Sequence, residues 1–141
     1  AVLGEKAYAV DAADSLLVFD LPGLAAQPPR PLGAKCVYGP LAAGQLVILA
    51  TADNLLHVID PEGKVRADRL PHGIPTGPPA VDGEDWIFTS AGGVIWRVNP
   101  ASGEQRGKVE TGLALAAGPL LAGGRLVAVG QDGSLYVVEK P

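Results

Sequence analysis

Leu126-Val127-Ala128-Val129-Gly130-Gln131-Asp132-Gly133-Ser134-Leu135-Tyr136-Val137-Val138-Glu139 decides the fold. Two short β-type runs flank a Gln-Asp-Gly turn, which predicts a tight hairpin. The pattern stands three more times in the chain. It reads Lys6-Ala7-Tyr8-Ala9-Val10 before Ser15-Leu16-Leu17-Val18-Phe19-Asp20. It returns as Leu46-Val47-Ile48-Leu49-Ala50 before Leu55-Leu56-His57-Val58-Ile59-Asp60, and as Asp85-Trp86-Ile87-Phe88-Thr89 before Val94-Ile95-Trp96-Arg97-Val98-Asn99. An acidic or amide residue ends each copy, at 20, 60, 99 and 139. A turn glycine opens each, at 4, 44, 83 and 124. Two independent anchors share one register, so chance is a poor explanation.

A period near forty residues with strand-type spacing is the signature of propeller blades. The hairpin turns, Ala12-Ala13-Asp14-Ser15, Ala52-Asp53-Asn54, Ala91-Gly92-Gly93 and Gln131-Asp132-Gly133, supply the positive φ that such turns need. A Gly-Pro segment precedes three copies, at Gly39-Pro40, Gly77-Pro78 and Gly118-Pro119, and predicts a small-residue inner strand. A weaker charged run follows the first three hairpins, around Gly33 to Val37, Lys64 to Leu70 and Glu104 to Thr111, and suits an exposed outer edge. Four antiparallel strands per repeat make a propeller blade. The expected architecture is therefore all-β, a partial β-propeller of about four blades in one segment, residues 1–141. The blades fall at about 1–38, 39–76, 77–117 and 118–141. No helix is expected, because proline falls too often and no 3.6-residue apolar period lasts. Gly23 to Arg30 is expected as an irregular surface loop.

Hydrophobic residues make up 48% of the chain and the net charge is −4, which argues against the basic face that nucleic-acid binding requires. The longest uncharged apolar stretch, Leu113 to Gly124, falls short of the ~20 residues of a membrane-spanning helix. A lone Cys36 excludes an internal disulfide and a cysteine-built metal site within one chain. The chain starts Ala1-Val2-Leu3 without Met and is expected to be a segment of something longer. The first and last blades are expected to be incomplete, lacking an inner-strand start and an outer strand respectively. Open edges and uncovered apolar faces then predict self-association, or cover by the remainder of a larger propeller.

The residues resemble the PQQ-like (quinoprotein/BamB-like) propeller repeat family. The likeness runs through Gly118-Pro119-Leu120-Leu121, Leu126 to Gly133 and Leu135-Tyr136-Val137-Val138-Glu139. It continues in Val58-Ile59-Asp60-Pro61-Glu62-Gly63-Lys64 and Val98-Asn99-Pro100-Ala101-Ser102-Gly103-Glu104. It covers nearly the whole chain. The family's quinoprotein dehydrogenases carry eight blades, calcium, pyrroloquinoline quinone (PQQ) and a docking tryptophan after the Gly-Lys turn. Here those positions hold Arg66-Ala67 and Arg106-Gly107. The resemblance therefore implies the non-catalytic branch, with no cofactor and no metal, and a periplasmic or extracellular location.

Candidate site residues are few. Asp20, Asp60, Asn99 and Glu139 read as turn caps rather than a ligand ring, because they recur in every repeat. Asp14, Asp53 and Asp132 give one carboxylate per turn, whereas calcium needs about six to eight clustered oxygens. His57 shares a bulky column with Leu17, Trp96 and Tyr136 and reads as a packed strand residue. His72 follows Pro71 in a turn, and Cys36 reads as a structural thiol. Arg97 stands in a column otherwise held by Val18, Val58 and Val137, so it is expected to be solvated or paired. Trp96 and Arg97 together are the candidate partner contact, since Trp and Arg are enriched at interface hot spots. The expected function is a non-enzymatic binding or scaffold module contacting protein. A fragment of a PQQ-dependent dehydrogenase and a purely structural part of a larger propeller are the alternatives.

Overall fold

The computed structural model describes residues 1–141 and contains sixteen strands and no helix. They divide between two compact units, Ala1–Pro71 and His72–Pro141. In the first unit, β1 (Val2–Leu3), β2 (Lys6–Val10), β3 (Ser15–Asp20), β4 (Ala25–Ala26) and β5 (Arg30–Pro31) make one antiparallel sheet. The second sheet runs β6 (Cys36–Ala43), β7 (Leu46–Thr51), β8 (Leu55–Ile59), β9 (Val65–Arg69) in that order. In the second unit, β10 (Ala80–Asp82), β11 (Asp85–Thr89), β12 (Val94–Val98) and β13 (Gln105–Glu110) form the third sheet. β14 (Leu120–Ala122), β15 (Arg125–Val129) and β16 (Leu135–Val138) form a fourth, three-stranded sheet.

The four central hairpins share one register. Tyr8 pairs with Val18, Ile48 with Val58, Ile87 with Arg97 and Val127 with Val137. Each closes through three residues, with the third amide donating back across the turn: Asp14 to Asp11, Asn54 to Thr51, Gly93 to Ser90 and Gly133 to Gly130. The donors Asp14, Asn54, Gly93 and Gly133 all have positive φ, between 56° and 84°. This is a type I turn followed by a left-handed bulge residue, and Asp, Asn and Gly are the types that tolerate that conformation.

The opening turns refine the expected anchor. Gly4, Gly44 and Gly83 are the first of two turn residues, with φ of 56°, 59° and 65°. In the fourth sheet that place belongs to Gly123, and Gly124 is the second turn residue. With Gly123 as anchor, 4 to 20, 44 to 60, 83 to 99 and 123 to 139 are equal intervals.

The outer strand of the first sheet is not where the charge pattern placed it. Cys36 and Val37 open β6, the inner strand of the second sheet. The outer position is taken by β4 and β5, which pair with opposite ends of β3. Pro28-Pro29 lies between them, and proline has no N–H for the ladder, so the edge strand is interrupted. The expected loop from Gly23 to Arg30 is irregular over most of its length and carries the two short pieces of this edge at Ala25–Ala26 and Arg30.

Inner strands approach closely in the second unit. A Cβ on Gly77 would stand 2.5 Å from the Gly118 backbone nitrogen, so glycine is required there. The turn-cap expectation holds at two of its four positions. Asp60 accepts the Lys64 amide at 2.8 Å, and Asn99 accepts those of Ala101 and Ser102 at 2.9 and 3.1 Å. Asp20 instead accepts from the Gln27 side chain, and Glu139 is exposed.

Candidate functional site

Strand pleating gives every sheet two faces. One, termed the front, carries Tyr8, Leu16 and Val18 in the first sheet. Its equivalents are Ile48, Leu56 and Val58, then Ile87, Ile95 and Arg97, then Val127, Leu135 and Val137. The back carries Ala7, Ala9, Leu17 and Phe19, then Val47, Leu49, His57 and Ile59. It continues as Trp86, Phe88 and Trp96, then Leu126, Ala128, Tyr136 and Val138.

Within each unit a front meets a back. In the first, Tyr8, Leu16 and Val18 form a core with Val47, Leu49 and Ile59. In the second, Ala80, Ile87 and Ile95 form a core with Leu126 and Ala128, joined by Leu115 and bordered by Leu121 and Val138. The same packing rule thus operates twice on different residues.

Two faces are left open. On the front of the fourth sheet Leu120 is 60% exposed, Leu135 70% and Val137 65%. Leu120 pairs with Val127, and Val127 with Val137, so these side chains form one row across three strands. Leu135 holds the place in the repeat where Leu56 and Ile95 are buried, yet it is exposed, because no sheet of this segment covers it. The back of the first sheet exposes Val2 and Ala9, with Ala7, Leu17 and Phe19 half-buried beside them. A contiguous apolar row of this kind marks an interaction surface.

Trp96 and Arg97, the candidate contact pair, lie in other surroundings. Trp96 is 3% exposed, stacked on Phe88 with ring centroids 5.4 Å apart and flanked by His72 at 5.4 Å. Arg97 is half-buried and pairs with Asp82, while its second guanidinium nitrogen lies 3.6 Å from Asp85. Lys140 also reaches Asp82, at 3.0 Å, and Arg106 lies 3.6 Å from Asp85. The Lys140 hydrogen bond, more than any other contact, holds the Asp82 carboxyl below its usual range, with Arg97 adding to it. Asp85 is buried, and its Oδ1 has no hydrogen bond, nor has Arg97 Nε. Sequence reasoning singled out Arg97 from its column but missed its acids. The signal was available in Asp82 and Asp85, which bracket the opening turn of the same sheet.

The remaining candidates each make local contacts. His57 is buried and lies 3.1 Å from Thr51 Oγ1. Burial holds its imidazole below the usual value, against the opposing pull of Asp53. The Cys36 thiol is half-buried and pushed upward by burial, which disfavours the reactive thiolate. Asp14 accepts the Cys36 amide at 2.9 Å, and Asp132 accepts from Ser134 at 2.9 Å. Asp132 serves its own turn, whereas Asp14 ties its turn to the start of β6, and the two do not converge.

No family model and no curated protein matches the chain. Solved structures do. The computationally designed Ika4 protein superposes with a TM-score of 0.71 at 14% identity, over 97% of this chain and 86% of that one. BamB from Moraxella catarrhalis superposes with a TM-score of 0.67 at 20% identity, over 97% of this chain and 41% of that one. The fold is a partial β-propeller. At these identities the likeness carries the fold alone, and this propeller segment spans well under half the length of BamB.

Proposed function

We propose that this propeller segment is a non-enzymatic protein-binding module, with the front face of the fourth sheet as its principal contact. The observation behind this reading is the exposed row of Leu120, Val137 and Leu135 on a three-stranded sheet. Large apolar side chains at such exposure gain about 25 cal/mol for each Å² taken out of water, so a covering partner is favoured. Of the candidate pair, Arg97 is the member a partner could reach, while Trp96 supports it from within the sheet. Blade limits at 1–38, 39–76, 77–117 and 118–141 belong to the same reading. An enzymatic role in the quinoprotein manner lacks its docking residue, since Arg66-Ala67 and Arg106-Gly107 stand where tryptophan would.

A second reading has one observation in its favour. BamB is more than twice the length matched here, so the cover could be further blades of a larger propeller. A photo-cross-linking residue at position 137 tests the binding module directly. A covalent adduct with polypeptide is expected, and the absence of any such adduct would overturn the proposal. Titration with PQQ and Ca²⁺, followed by dye-linked alcohol oxidation, tests the non-enzymatic part. Turnover there would reverse it.

A further inference from the structure

We infer that the front face of the fourth sheet takes the back face of the first sheet of a second copy of this chain. This rests on the protein-binding reading above and names the partner. The argument starts from the repeat itself. Fronts and backs are distinct surfaces, defined by the register of each hairpin, and inside each unit a front packs on a back. The one front left uncovered belongs to the fourth sheet, and the one back left uncovered belongs to the first. Each therefore lacks the kind of surface the other presents.

The chemistry of the two faces agrees. The back of the first sheet carries Val2, Ala7, Ala9, Leu17 and Phe19, with Ser15 as its polar position on β3 and no charge on its central strands. Its alanines lie on β2 and its large side chains on β3, so it offers a shelf beside a ridge. The front of the fourth sheet offers Leu120, Val127, Val129, Leu135 and Val137. Its one strand charge, Arg125, is exposed beside the opening turn at the rim. Bringing the faces together buries no unpaired charge, which is the usual obstacle to such contacts. A front-to-front pairing has no counterpart within either unit. Front on back is a heterologous contact, in which each copy uses a different surface.

The test uses the chain as it stands and two variants at exposed positions. The front variant carries Leu135→Lys and Val137→Lys, and the back variant carries Val2→Lys and Ala9→Lys. Circular dichroism establishes that both keep the strand signature. Light scattering across a concentration series should show the unsubstituted chain associating. Each variant alone should be monomeric, with its dissociation constant raised at least about 100-fold, because the contact would bury unpaired ammonium groups. An equimolar mixture should recover a heterodimer, since the intact back of one variant meets the intact front of the other. A monomeric unsubstituted chain at every concentration overturns the inference. So does a back variant that still self-associates, which would mean a front-to-front contact. The cross-linker at position 137 separates the two levels of the argument. An adduct with the first sheet of another copy supports both. One with a different polypeptide removes the second copy and leaves the binding module standing, while one with a further segment of a longer chain removes both and favours the larger propeller.

Discussion

Ile95 and Leu135 hold the same place in the repeat, yet Ile95 is sealed and Leu135 stands in solvent. Thr89 faces Ile95 across its hairpin as Val129 faces Leu135, so local geometry does not separate them. The difference lies in what covers the sheet. Ile95 enters a core with Leu126 and Ala128 of the next sheet, whereas Leu135 belongs to neither core and is exposed. In a repeat array, then, the repeat sets strand, turn and facing, while burial is a property of the neighbour.

The comparison can be broken at several depths. Ile95→Ala should cost about 2–5 kcal/mol, as a large-to-small change in a packed core does. Leu135→Ala on the isolated chain should stay within about 0.5 kcal/mol, as exposed substitutions do. Urea denaturation of both, at a concentration low enough to prevent association, measures the contrast. Equal losses would mean that Leu135 is buried after all.

Arg97→Val restores the residue type of Val18, Val58 and Val137. It also strips Asp82 and buried Asp85 of a partner. A loss of about 1–3 kcal/mol is expected, below the usual cost of breaking a fully buried pair because Arg106 stays beside Asp85. A gain in stability would show that the column's apolar preference outweighs the ion pair.

Turn glycines give a finer contrast between the third and fourth sheets. Gly93 and Gly133 share φ near 84°, but a Cβ on Gly93 would collide with the Leu113 carbonyl, while Gly133 has open space. Gly93→Asn should therefore cost more than about 1 kcal/mol. Gly133→Asn should change stability by about 0.5 kcal/mol or less, since Asn54 already occupies the equivalent position. Thermal melts of the two variants settle it, and matching shifts would contradict the close approach.

The smallest effect concerns His57. Its imidazole is held below its ordinary 6.5 in the fold, so the unfolded chain takes up a proton first as pH falls. Its contribution is intact above about pH 6.5 and erodes between there and the lower folded value. Melting temperature should drop faster over that window for the native chain than for His57→Gln. Parallel pH profiles would remove His57 as the cause.

Most of the architecture was legible because periodicity and turn chemistry are local. Each hairpin announces itself through alternating apolar residues and a residue tolerant of positive φ. The outer strand of the first sheet was not legible, since Ala25 and Arg30-Pro31 carry no strand signal and Pro28-Pro29 argues for a loop. Only pairing with β3 makes them an edge. The candidate contact at Trp96 looked plausible because a strand pattern does not say which face is covered. Uncovered apolar faces on the first and last blades were expected, but not that Leu120 and Val2 would lie on them, since that depends on pairing and on neighbouring sheets.

The interrupted edge of the first sheet bears on how the protein behaves at high concentration. Outer edges of three sheets carry their own deterrents to stray strand pairing: the proline pair between β4 and β5, Arg66, Asp68 and Arg69 on β9, and Lys108 and Glu110 on β13. Charge and proline at such places act as gatekeepers against amyloid-like growth. β16, reading Leu-Tyr-Val-Val, has neither, and its outer edge has no strand beside it. A lysine at Val137 would therefore improve solubility even where no specific partner is present.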